Sequence, residues 1–169
     1  MSLTAAAPAA EQAAASFADL YRATFADVYA YVATIVGDRG AAEDVTAQAF
    51  ERAYRKRRSF DPRRGSERAW VFGIARNAAL DELRRRRRTA SLVDEPPDEV
   101  LIAHDEAAVR RATVRVALGR LDARDRELIA LKFHGGLSNA ELAKVLGTSE
   151  SNAGTRLHRA VTKLREACA

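Results

Sequence analysis

A single cysteine, Cys168, in a chain of 169 residues leaves no disulfide framework and no thiolate cluster for zinc, so a reducing, cytoplasmic setting is expected. Only 9 glycines and 4 prolines interrupt the chain, and aromatic residues make up 7% of it, while 47% of it is hydrophobic. Few helix breakers and few of the aromatics that favour strands point to an all-α protein. No apolar run approaches the roughly 20 residues that cross a bilayer, so no membrane insertion is expected. The Ala-rich residues 1–15 have neither a basic start nor a strongly apolar centre, and Glu11 interrupts them. They read as a disordered leader and not as a signal peptide. There is no Walker loop and no G-x-G-x-x-G. His104, His134 and His158 are scattered, and Glu43-Asp44 is one short acidic pair. No enzyme, metal or cofactor is expected.

What the chain does have is charge in blocks. Residues 1–51 carry 2 basic and 7 acidic side chains, and residues 52–88 carry 14 basic and 4 acidic. Residues 89–109 contain six acids and no Lys or Arg, and residues 110–169 hold 12 basic and 6 acidic side chains. Two basic blocks around an acidic spacer suggest two polyanion-binding modules on a flexible linker. Pro96-Pro97 lies in the spacer, where no helix interior would accept it. The expected division is residues 16–89, an acidic linker at 90–109, and residues 110–169.

In the first module, Phe17, Leu20, Tyr21, Phe25, Val28, Val32 and Ile35 recur in steps of three and four, which predicts a helix ending near Gly37. A second helix is expected after Asp38-Arg39-Gly40, running to about Arg57 and burying Val45, Ala49, Phe50 and Ala53. Asp61-Pro62 and Gly65 signal a loop. A third helix starts at Ser66 and carries Trp70, Ile74, Ala78 and Leu83 inward. It ends in Arg84 to Arg88. At about 100° per residue, five consecutive residues encircle the helix axis and cannot form one face. With Arg55, Lys56, Arg57, Arg58, Arg63, Arg64 and Arg76 they suggest a phosphate-binding surface. Phe60, in the Pro/Gly loop, is the aromatic best placed to stack on an unpaired base, and Trp70 is either core or a second stacking ring.

In the second module a helix is expected from about Arg124 to Phe133, ended by Gly135-Gly136. Ser138-Asn139-Ala140-Glu141 is a capping box for the next helix, which Gly147 stops. Ser149 then caps another. Two short helices joined by a tight Gly-containing turn make a helix-turn-helix. In the second of them Ala153, Leu157, Ala160 and Leu164 form an inward stripe. Ser151, Thr155, His158, Arg159 and Thr162 lie opposite, with Asn152 and Arg156 on the flanks. The N-terminal end of such a helix reaches base edges, so Ser151, Asn152, Thr155 and Arg159 are candidate base readers. Arg156 and Lys163 suit phosphate. Gly154, in mid-helix, costs about 1 kcal/mol relative to alanine and asks for a reason, either close approach or neutral loss.

Both modules in this order resemble the extracytoplasmic-function (ECF, group 4) sigma factors of bacterial RNA polymerase. The matching stretches are GDRGAAEDVTAQAFERAYR, SFDP, AWVFGIARNAALDELRRRRR, LDARDRELIALKFHGGLSNAELAKVLGTSES and TRLHRAVTKLRE. The resemblance implies a region 2 helical bundle and a region 4 helix-turn-helix. Asp44, Gln48, Glu51 and Arg52 would dock on the clamp helices of the polymerase's largest subunit, and the second module on its flap. Phe60, Arg63, Arg64, Ser66, Trp70, Arg76, Asn77, Arg84 and Arg85 would read and melt the −10 element. Ser151, Asn152, Thr155, Arg156, Arg159 and Lys163 would read the −35 element. Core polymerase, promoter DNA and an anti-sigma factor are the implied partners. The chain departs from the family where Ala47 and Gln48 replace Gln-Glu, and where Ser151-Asn152-Ala153-Gly154-Thr155 replaces Gly-Thr-Val-Lys-Ser.

Two other readings are open to the sequence. One is a two-domain transcriptional repressor or response-regulator output protein with a C-terminal helix-turn-helix, which would need a dimerisation surface and would bind DNA without polymerase. The other is a nucleic-acid-processing enzyme. The arginine-rich first module with its aromatic loop argues against the first, and the missing ligand sets against the second.

Overall fold

The computed structural model describes residues 9–90 and 106–169, and the Pro96-Pro97 boundary and His104 lie outside the described residues. Among the described residues there are seven α-helices and no strand, so the fold is all-α. The first helix, α1 (Ala9–Val36), begins within the stretch expected as a disordered leader, and for residues 9–15 that expectation is corrected to helix. An alanine-rich stretch with no glycine or proline between Ala9 and Val36 removes any local reason to stop the helix earlier. Asp38 caps α2 (Arg39–Lys56), its carboxylate accepting from the Ala41 N–H at 2.9 Å. Two short 3₁₀ turns, Arg57–Ser59 and Pro62–Arg64, carry the chain into α3 (Glu67–Ala90). The second module holds α4 (Glu106–Arg120), α5 (Ala123–Phe133), α6 (Asn139–Leu146) and α7 (Glu150–Cys168).

α1, α2 and α3 pack pairwise, and α7 packs on α4, α5 and α6. Much of the first module's contact is alanine: Ala42, Ala49, Ala53, Ala75 and Ala79 are fully buried. Small side chains let helix backbones approach closely, and Val28, Tyr31, Val32, Val45, Val71 and Phe72, also buried, fill the space between. Trp70, expected inward, is only half-buried, because the neighbours Ala69, Val71 and Phe72 take the core positions.

The two helical units are not separate bodies. Leu128, Leu131, Leu137 and Leu142 of the second unit belong to the same apolar cluster as Val28, Tyr31, Val32 and Phe72 of the first. α5 lies on α1, and α6 on α3. At about 1.5–3 kcal/mol per buried leucine, this shared layer is a substantial part of the fold's stability. A smaller cluster of Leu121, Ile129 and Ala160 ties α7 to α5 and the end of α4.

Candidate nucleic-acid interface

α2 buries Ala42, Val45, Thr46, Ala49, Phe50 and Ala53, which leaves Asp44, Gln48, Glu51 and Arg52 exposed together on its outer side. Glu51 pairs with Arg55 at 2.6 Å, and Arg52 with Asp81 at 3.4 Å. Beside this strip the rings of Tyr21, Phe25 and Phe50 line an open groove of about 660 Å³.

The loop after α2 is built by capping. Asp61 Oδ1 accepts from the Arg63 N–H and from Arg63 Nε, both at 3.0 Å. The arginine beside it holds the Asp61 carboxyl below the usual carboxylate range. Ser66 Oγ accepts from the Ala69 N–H at 3.1 Å and so starts α3. The Phe60 and Trp70 rings stand 5.5 Å apart, both half-buried. Asn77 and Arg84 follow Trp70 at seven-residue steps, which on an α-helix keeps all three on one stripe. Asn77 is exposed, and Arg84, also exposed, pairs with Asp81 at 3.1 Å. Phe60, Trp70, Asn77 and Arg84 thus form one accessible row.

The arginine run divides in two. Arg84 and Arg85 are exposed and make i,i+3 pairs with Asp81 and Glu82, of the kind that contributes little in water and yields readily to a phosphate. Arg86 turns inward, bonding Glu82 at 2.9 Å and Asp38 at 2.8 Å. The Ala41 N–H and then Arg86 hold Asp38's carboxyl low, so Arg86 ties the end of α3 to the cap of α2. Nothing local in the sequence distinguishes Arg86 from its neighbours.

Arg76 stands apart from the accessible row. Its side chain reaches the second unit, where Nε meets Glu127 Oε1 at 2.5 Å and Nη2 meets Oε2 at 3.4 Å. Ser66 Oγ donates to Glu141 Oε1 at 2.5 Å, and Lys144 Nζ donates to the Arg64 carbonyl at 2.8 Å. Of the residues expected at the −10 element, Arg64, Ser66 and Arg76 are therefore in contact with the other module.

The helix-turn-helix is formed as its caps require. Ser138 and Glu141 complete the capping box on α6. Gly147 closes that helix at φ 66°, ψ 40°, the left-handed region that costs glycine nothing. Ser149 Oγ accepts from the Asn152 N–H at 3.2 Å at the head of α7. Ala153 and Ala160 are fully buried with Leu157 and Leu164 half-buried behind them, while Ser151, Asn152, Thr155 and Arg159 face outward. Arg156 is half-buried. Lys163 points back to α5, pairing with Asp125 at 2.5 Å and Asp122 at 3.6 Å, and the Asp125 hydrogen bond raises its pKa. A Cβ on Gly154 would lie 3.3 Å from Asn139 Nδ2, so this glycine sits at a close approach of α7 to the head of α6.

Residues 20–89 match the family model for Sigma-70 region 2, and residues 111–164 that for Sigma-70, region 4. The ECF RNA polymerase sigma factor SigL of Mycobacterium tuberculosis is 34% identical over 98% of this chain and 94% of its own. The chain belongs to the ECF sigma factors. Such a factor directs promoter-specific initiation by RNA polymerase, and this sigma factor carries both of the family's modules in order. CnrH, solved in complex with the cytosolic domain of CnrY, is 28% identical with a TM-score of 0.68, the match covering 93% of this sigma factor and 92% of CnrH. RpoE of Bartonella quintana, solved with the anti-sigma factor NepR, has a TM-score of 0.77 over 90% of this chain and 96% of its own. At 24% identity that likeness concerns the fold. No described helix is long and apolar enough to cross a membrane.

Proposed function

We propose that this sigma factor divides promoter recognition between its two modules and uses no chemistry of its own. The observation that carries this reading is α7. Its N-terminal outer face offers Ser151, Asn152, Thr155 and Arg159 opposite a buried stripe, the arrangement in which a recognition helix enters the major groove of a −35 element. Arg156 is placed for an adjacent phosphate. On the first module, the row of Phe60, Trp70, Asn77 and Arg84, with Arg63, Arg64 and Arg85 near it in sequence, takes the −10 element. Rings and amide hold unstacked bases and the arginines follow the backbone. Capture of flipped bases offsets the few kcal/mol of unpairing, so melting requires no hydrolysis.

Asp44, Gln48, Glu51 and Arg52 are the proposed contact with the clamp helices of core polymerase. Held by core, each weak DNA contact acts at high effective concentration, which gives specificity without a large interface. The factor works in the cytoplasm as a dissociable subunit. An anti-sigma factor is the proposed regulatory partner, and the complex of CnrH with the cytosolic domain of CnrY, at 28% identity, supports a protein partner for this chain.

Co-purification with core polymerase, followed by run-off transcription on genomic promoters, tests the whole reading. The expected result is a stoichiometric complex with a defined set of start sites. A factor that does not bind core would end it.

A further inference from the structure

The head of α6 meets the flank of α7 at a residue without a side chain. Gly154 follows the buried Ala153 by about 100° of helical rotation, between the inward stripe and the outward face that carries Ser151 and Thr155. Asn139, the first residue of α6, occupies the space over that flank. Its Nδ2 stands 3.3 Å from the point where a Cβ at position 154 would lie, so the amide packs on bare backbone.

The polar groups around this contact differ in what they hold. Asn152 Nδ2 donates to Thr148 Oγ1 at 2.9 Å. Ser138 and Glu141 are taken up by the capping box. Asn139 is half-buried, and its amide has no hydrogen-bond partner among the described residues. An amide carries two N–H donors and an accepting oxygen, and here the packing fixes their place without using them. In a helix-turn-helix the second helix enters the major groove while the first crosses the sugar–phosphate backbone. Asn139 belongs to the first of the two, beside the outward face of the second. The DNA group within its reach is a phosphate oxygen, which accepts from Nδ2–H.

We propose that Asn139 is a further DNA-contacting residue of the −35 surface, its amide donating to a backbone phosphate from the place that Gly154 leaves without a side chain. The inference rests on the −35 reading of α7 above. Three consequences follow from the chemistry. A phosphate contact positions the protein without specifying sequence, so its loss weakens every −35 duplex alike. A neutral amide displaces no counterion as a lysine or arginine does, so its loss leaves the salt dependence of binding unchanged. And a side chain at position 154 must push the Asn139 amide aside, so the two positions compete for one place on the DNA.

Binding of a duplex −35 fragment by the polymerase holoenzyme is the test, over a series of salt concentrations and with single-base substitutions in the element. Asn139→Ala is expected to weaken binding roughly tenfold, the scale of one hydrogen bond to a charged group. The factor should be the same on every duplex, with the salt slope unchanged. Asn139→Asp keeps the size of the side chain, and an acid in the first turn of a helix is favourable. Its melting temperature should therefore hold or rise while its affinity falls below that of Asn139→Ala, which a merely structural role would not produce. Gly154→Lys should steepen the salt slope by about 0.9 and gain more affinity in the Asn139→Ala background than in the wild type. Unchanged affinity of Asn139→Ala, or Asn139→Asp that binds as the wild type does, overturns the contact. A loss confined to particular bases, or equal gains from Gly154→Lys in the two backgrounds, overturns the shared phosphate place. Wild-type holoenzyme that fails to bind the duplex overturns the −35 reading beneath it, so the two failures are told apart.

Discussion

Phe60 and Trp70 stand with ring centroids 5.5 Å apart and planes inclined at 56°, one from the loop after α2 and the other from the first turn of α3. Both rings are half-buried, so each keeps part of its surface in solvent, and Asn77, two turns on from Trp70, is exposed. Phe60→Ala removes the loop's share of that platform. Base stacking on an aromatic contributes about 1–3 kcal/mol, so open-complex occupancy should fall roughly 5- to 150-fold while core binding stays as it was. Permanganate reactivity of promoter thymines reads the open complex directly. Undiminished reactivity would remove Phe60 from the melting surface. Asn77→Ala is expected to act in the same direction.

Gly154 and Asn139 give a prediction of opposite kind. Alanine at 154 gains about 1 kcal/mol of helix propensity, but its Cβ must push the Asn139 amide back by a few tenths of an ångström. Gly154→Ala alone should therefore recover less than the full gain, and the Asn139→Ala, Gly154→Ala double variant should recover it. The coupling in a thermal-denaturation double-mutant cycle measures the approach of the two helices. Additive single and double values would mean that Gly154 is a neutral loss.

The helix-turn-helix could be read from the sequence because its determinants are local. Ser138 and Glu141 are three residues apart, Ser149 stands at a helix head, and the stripe through Ala153 and Ala160 follows the helical period. The joining of the two modules could not be. Arg76 and Glu127 lie 51 residues apart, and Arg68 and Gly135 lie 67 apart, with no pattern to link them. The same limit explains Arg86, which looks like its neighbours until α3 is set against Asp38. α4 was not legible as a helix either, because its valines Val109, Val114 and Val116 remain exposed and trace no clear inward face. On the candidate surfaces, composition located the arginines, and only packing separated those that face solvent from those that hold the fold.

Arg159 and Lys163, one turn apart on α7, are expected to differ in their effect on promoter binding. Arg159 is exposed and reaches outward, so Arg159→Ala should cost about 1–3 kcal/mol of discrimination at one base position if it contacts a base edge. Lys163 is occupied by Asp125 and Asp122. Lys163→Ala should leave the dependence of affinity on salt concentration nearly unchanged, whereas loss of a true phosphate contact lowers the slope by about 0.9. Filter binding of a duplex −35 fragment by the polymerase holoenzyme, repeated at several salt concentrations, separates the cases. A lowered slope for Lys163→Ala would show that the lysine leaves Asp125 for DNA.

His134 makes the contact between modules sensitive to pH. Its Nε2 lies 3.3 Å from Thr34 Oγ1 on α1, and because that hydroxyl already donates to the Ala30 carbonyl, the imidazole N–H is the donor. Partial burial lowers the His134 pKa, and the nearby Asp27 carboxylate opposes that shift without cancelling it. Arg68, bound to the His134 carbonyl, adds a second positive charge in the neighbourhood. A histidine whose folded pKa lies below its unfolded value of about 6.5 binds fewer protons when folded. Stability is then full above about pH 6.5 and falls as the pH drops through the folded pKa. Melting temperatures between about pH 7.5 and 5.5 should decline for the wild type and decline less for His134→Gln. In that window Asp38 and Glu141, both with lowered pKa, remain charged and add no slope. Parallel declines in the two proteins would place the sensitive group elsewhere.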